Sequence, residues 1–94
     1  MEIRFYIDPE TEQPHIYEHG VTEEEVRQVF VGQGDDFRGR GRSRIRFGPT
    51  AGGRYLKIVY EPDEEGGSIF VITAYDLRSK ALRAFRRRQR RRRR

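Results

Sequence analysis

The run Ser68–Asp76, S-I-F-V-I-T-A-Y-D, constrains the fold of this chain more than any other stretch. Its residues are apolar or β-branched at nearly every position and include neither Gly nor Pro, the pattern of a strand covered on both faces. Strict alternation sends Ile69, Val71, Thr73 and Tyr75 to one side and Phe70, Ile72 and Ala74 to the other. A central strand of this kind needs a layer or a ligand on each face. With 94 residues the chain buries only ~60 to 65% of its unfolded surface, so one domain with one modest core is expected.

The other elements follow from local pattern. Ile3, Phe5 and Ile7 alternate with Glu2, Arg4 and Tyr6, which predicts a half-buried strand ending at Asp8-Pro9. Pro14 forbids a long helix from Asp8, leaving a loop and then a short helix over 14–19 that Gly20 closes. Thr22 and Glu25 form a capping box, Val21 is placed to staple onto Val26, and Val26, Val29 and Phe30 make the apolar stripe of a second helix ended by Gly32 and Gly34. These two helices are expected to cover one face of the sheet. Arg54–Glu61 is a further strand, and the polar Gly-Gly link after it predicts an antiparallel hairpin with Ser68–Asp76.

Between the second helix and that strand lies D-F-R-G-R-G-R-S-R-I-R-F, residues 36–47, with Arg38, Arg40, Arg42, Arg44 and Arg46 all at even positions. In an extended chain they share one face, with the Gly-rich first half looser or a hairpin end. If Ile45, Phe47, Leu56, Ile58 and Tyr60 face the helices, the opposite face carries Arg42, Arg44, Arg46, Tyr55 and Lys57 beside Thr73 and Tyr75. Guanidinium groups bind phosphate bidentately and aromatic rings stack on unpaired bases, so such a face suits RNA. The plainer reading is a solubilising strand face that resists edge pairing.

Charge is divided along the chain. Residues 1–77 carry nine Arg or Lys against fifteen Asp or Glu, a net of −6, whereas residues 78–94 carry eleven basic residues and no acid. Arg78, Lys80, Arg86, Arg87 and Arg88 therefore join Arg40, Arg42, Arg44 and Tyr55 as candidate RNA contacts. A terminal helix through Ala81, Leu82, Ala84 and Phe85 is expected to dock on the domain, residues 1–86, and to give way to a flexible arginine-rich tail, 87–94. Without cysteine there is no disulfide, thiolate site or cysteine nucleophile. Neither a leader nor a spanning segment is legible, so a soluble, cytoplasmic protein without membrane partners is expected. His15 and His19 are four apart but lack a third ligand in sequence, and no G-K-[ST] loop or nucleophile elbow is present, so no metal and no cofactor are predicted.

The predicted order makes an α+β domain: an N-terminal strand, two short helices on one face, a small antiparallel sheet, a C-terminal helix and a basic tail. H-G-V-T-E-E-E-V-R-Q-V-F (19–30), G-R-Y-L-K-I-V-Y (53–60) and I-F-V-I-T-A-Y (69–75) resemble the BrnT family of toxins and related small domains, a branch of the RelE-type fold. The chain departs from that pattern at Pro14, which interrupts the first helix, and at Tyr75, where an arginine is usual. The resemblance implies a metal-independent endoribonuclease of a type II toxin–antitoxin system, acting on RNA, ribosome-associated or free, and restrained by an antitoxin protein. On that reading Arg46, Arg54 and Lys57 hold the phosphate, with Arg44 beside them, and Tyr75 stacks or donates a proton. No general base stands out, with His19 and Glu61 only nominal choices. The alternative is a non-catalytic RNA- or ribosome-binding module of the same fold.

Overall fold

The computed structural model describes residues 1–92. Strands β1 (Glu2–Phe5), β4 (Asp35–Arg38), β5 (Arg44–Pro49), β6 (Tyr55–Pro62) and β7 (Ser68–Asp76) form one sheet in the order β1-β7-β6-β5-β4, and β2 (Ile7–Asp8) bridges β3 (Gln13–Pro14) apart from it. The apolar run Ser68–Asp76 is thus flanked by strands on both sides. The β6–β7 hairpin is antiparallel as expected. β1, however, pairs with β7 in parallel, from Glu2 opposite Ser68 to Phe5 opposite Val71. The sheet is therefore mixed and not antiparallel throughout. Alternation in Glu2–Ile7 marks a strand but carries no information on the direction of a partner at the far end of the chain.

One face is covered by a 3-10 helix, His15–His19, and by α1, Glu23–Val31. Thr22 accepts from the Glu25 amide at 3.1 Å while Glu25 accepts from the Thr22 amide at 3.0 Å, so the capping box is complete. Gly20 closes the 3-10 helix at φ 68°, a conformation that costs a residue with a Cβ about 1 kcal/mol or more. Val21 and Val26 are both buried and join Ile16, Val29, Leu56, Ile58, Tyr60, Ile69, Val71 and Ala74 in the main core. α1 lies so close to β5 that a Cβ on Gly48 would stand 2.8 Å from Val29 Cγ1, which is why this strand position is a glycine.

Two local features set the faces. First, the Gly-rich half of the arginine-rich stretch is a hairpin end, one of the two forms expected of it: β4 folds back on β5 with Asp36 opposite Arg46 and Arg38 opposite Arg44. Second, β5 sits on β6 with Arg44 opposite Tyr60, Arg46 opposite Ile58 and Gly48 opposite Leu56. Arg44 and Arg46 consequently face the helices, while Ile45 and Phe47 point the other way. A single residue of register separates this from the expected arrangement, and such a slip exchanges the two faces completely. In β7 the pairing steps from Val59–Thr73 to Tyr60–Val71 and leaves Ile72 as an extra residue. This bulge lets Ile69, Val71 and Ala74 all enter the main core and turns Thr73 and Tyr75 away from it.

The second face is covered only in part. α2, Ser79–Arg92, docks there by Phe85, which is fully buried with Phe47 and Leu77 and flanked by Ile45, Tyr55 and Leu82. Removing one phenyl ring from water in this way contributes about 2–3 kcal/mol. Further along, Arg88 and Arg92 both donate to the Asp35 carboxylate at 2.5 Å. The helix thereby continues through residues 87–92, where the sequence leads one to expect a flexible tail; the remainder of that tail, 93–94, lies outside the described residues. No helix among the described residues is long and apolar enough to cross a membrane.

Candidate functional site

Arg46, the central arginine of the expected phosphate site, is engaged in folding. Its Nε donates to the Val29 carbonyl at 3.2 Å and its Nη2 to the Gly32 carbonyl at 2.8 Å, so it satisfies the C-terminal end of α1, while the guanidinium lies 5.3 Å from the centre of the Phe30 ring. Its neighbour Arg44 donates to Asp36 Oδ1 at 2.7 Å, and the other oxygen of Asp36 accepts from the Tyr60 hydroxyl. Burial, reinforced by that carboxylate, pushes the Tyr60 phenol up to about 12.

Arg54 is used still more heavily. It donates to Asp76 at 2.6 Å, to Glu25 at 3.2 Å, and to the carbonyls of Gly20 at 2.8 Å and His19 at 3.2 Å. Four segments are tied together: the start of β6, the end of β7, the 3-10 helix and the first turn of α1. The hydrogen bond from Arg54 holds the Asp76 carboxyl below its ordinary value. Neither Arg46 nor Arg54 reaches the face on which Lys57 and Tyr75 stand, so the four residues expected to act together are divided between opposite sides of the sheet.

Lys57 and Tyr75 do come together. They are direct partners across β6 and β7, with Lys57 Nζ 5.6 Å from the ring centre. Two residues before Lys57 on β6, the Tyr55 ring lies 4.9 Å from the Arg86 guanidinium and is propped against Phe85 at 6.0 Å. Arg4 stands 5.8 Å from Phe70 at the far end of the same face. Three aromatic rings each carrying a cation therefore line this face, Tyr55 where α2 packs on it and Tyr75 and Phe70 apart from that cluster. The exposed Arg83, Arg86, Arg87, Arg90 and Arg91 continue this basic surface along α2 and make no ion pair among the described residues, extending it by roughly 12 Å.

The remaining predicted contacts scatter. Arg42 is paired with Glu64, Arg40 lies at the exposed tip of the β4–β5 turn, and Arg88 is held by Asp35. Arg87 and Lys80 are exposed on α2. Arg78 pairs loosely with Asp76 at 3.4 Å and opens onto a shallow cleft lined also by Glu18, His19 and Tyr75. In that cleft the His19 ring meets the Tyr75 ring edge-on at 5.6 Å. Sequence reasoning left His19 without a partner because the two residues are joined only by packing of the 3-10 helix against β7, to which no spacing rule applies. Arg83 was passed over for a different reason: helical placement, not composition, sets it in line with Arg86 and, beyond it, with Arg90 of the expected tail. No family model, no curated protein and no solved structure matches the chain.

Proposed function

We propose that the protein binds single-stranded RNA across the uncovered half of its sheet, with α2 as a basic rail along one side. The observation that carries this reading is the set of ring-and-cation pairs, Tyr75 with Lys57 and Tyr55 with Arg86, on the sheet face that α2 covers only in part. Stacking on a ring contributes about 1–3 kcal/mol per base and tolerates any sequence, while the adjacent cations neutralise the phosphates between stacked bases. Paired arginines on the helix side do not contribute. Fluorescence anisotropy with a short unstructured RNA tests the reading: Tyr75→Ala weakens binding about 5- to 150-fold, and Arg46→Ala leaves it unchanged. Equal loss from both substitutions, or no binding by the folded wild-type protein, refutes it.

A second reading, metal-independent RNA cleavage of the kind the BrnT resemblance implies, is favoured by one specific contact, that of His19 with Tyr75. Here His19 takes the proton from a ribose 2′-hydroxyl, the 2′-oxygen attacks phosphorus, and Arg78 and Lys57 hold the phosphate oxygens. The bond to the 5′-oxygen breaks, and that oxygen receives a proton from Tyr75. The product is a 2′,3′-cyclic phosphate, and an antitoxin partner would act by covering the same face. Cleavage that persists in excess EDTA and disappears in His19→Ala supports this reading, whereas RNA that is bound and left intact restricts the protein to binding.

A further inference from the structure

The 3-10 geometry of His15–His19 changes which side chains meet. In a 3-10 helix residues three apart eclipse one another, so His15 stands over Glu18 as well as meeting the ring of His19. The Nδ1 of His15 lies 3.7 Å from Glu18 Oε2 and 3.4 Å from Asp8 Oδ2. Asp8 is delivered from β2 by the bridge to β3, and its other oxygen is fixed by the Glu10 amide at 2.9 Å, which leaves Oδ2 directed at the imidazole. The His15 amide donates to the Tyr6 carbonyl at 2.9 Å, and the imidazole is flanked by the rings of Tyr6 at 6.2 Å and His19 at 5.5 Å, so its orientation is set.

We infer that Asp8, His15 and Glu18 form a binding site for a divalent transition-metal ion of the zinc class. Three donor atoms, one from each side chain, lie within 4.8 Å of one another. A tetrahedral ion with bonds of about 2.1 Å sets its ligand atoms about 3.4 Å apart. The separations from His15 match one such edge and exceed the other by a rotamer adjustment of the exposed Glu18. One imidazole and two carboxylates suit zinc, cobalt or nickel, while magnesium and calcium favour a shell of oxygens alone. The fourth position is left to water or to an anionic ligand.

This inference is independent of the RNA reading and is tested without RNA. The chelator-treated full chain, titrated with ZnCl2 in a calorimeter and with CoCl2 by visible absorption, binds one ion per chain and gives a tetrahedral cobalt spectrum. His15→Gln, Asp8→Asn and Glu18→Gln each weaken binding about tenfold or more; His19→Gln does not. Thermal melts in EDTA establish that each variant is folded, and Glu18→Gln, at an exposed position, keeps the test open if Asp8→Asn is not. Absence of saturable binding in the wild-type protein overturns the inference. So does a loss in His19→Gln equal to that in His15→Gln, which assigns the ion to the two histidines alone, or full binding by Glu18→Gln and Asp8→Asn together.

Discussion

The two faces of the sheet use their cations in opposite ways. On the helix side, Arg44, Arg46 and Arg54 meet Asp36, Asp76, Glu25 and a series of backbone carbonyls, so each guanidinium completes a helix end or joins two segments. On the other side, Lys57, Arg86 and Arg4 lie over aromatic rings, and Lys57 and Arg86 make no ion pair among the described residues. The same residue types thus serve stability on one face and remain available to a ligand on the other. What separates the two groups is the supply of acceptors: every α-helix end presents unsatisfied carbonyls, and an open strand face does not.

Substitutions that separate stability from binding break or sharpen this contrast. The largest effect is expected for Phe85→Ala, which removes the fully buried ring by which α2 docks and costs about 3–5 kcal/mol, read by urea unfolding. A loss under about 1 kcal/mol would mean that α2 is not docked through that ring. Next, Arg54→Ala lowers stability by about 2 kcal/mol, since it releases charged hydrogen bonds to three other segments, yet leaves RNA affinity unaltered in the binding assay. Lys57→Ala should do the reverse: its stability stays within about 0.5 kcal/mol of the parent, while the slope of log K against log salt falls by about 0.7. If Arg54→Ala and Lys57→Ala behave alike in both assays, the division between faces is wrong.

The smallest effect concerns pH. Because Arg54 depresses the carboxyl of Asp76 in the folded state, this group contributes stability above its ordinary value of 3.8 and loses it as pH falls through the folded value. Unfolding curves of Asp76→Asn, compared with those of the parent, should show a weaker decline at the acid end. An identical acid limb in the two proteins would show that the Arg54–Asp76 contact is not maintained in solution.

Legibility followed the range of the interactions. Thr22 and Glu25 are three residues apart, so the capping box and the start of α1 were written into adjacent positions, as were the β6–β7 hairpin and the apolar character of β7. For the candidate interface the sequence supplied the ingredients, Tyr55, Lys57, Tyr75 and Arg86, but grouped them with Arg46 and Arg54, which the fold places on the other side. No local rule distinguishes the two sets. An arginine in an alternating strand faces helix or solvent according to how that strand registers on its neighbour.

By itself, then, the sequence determined the kinds of element, the ends of α1 and the concentration of basic charge beyond Leu77, because each depends on contacts within a few residues. Only the tertiary structure decided that β1 runs parallel to β7, that Ile72 bulges, that Arg44 opposes Tyr60, and that His19 meets Tyr75 while Asp8 meets His15. All of these are choices of register or of long-range partner. With a side-chain period of two along a strand, a shift of one residue reverses every side chain's face at once, and that shift is selected by the total burial of the sheet and its helices, a quantity no short stretch contains.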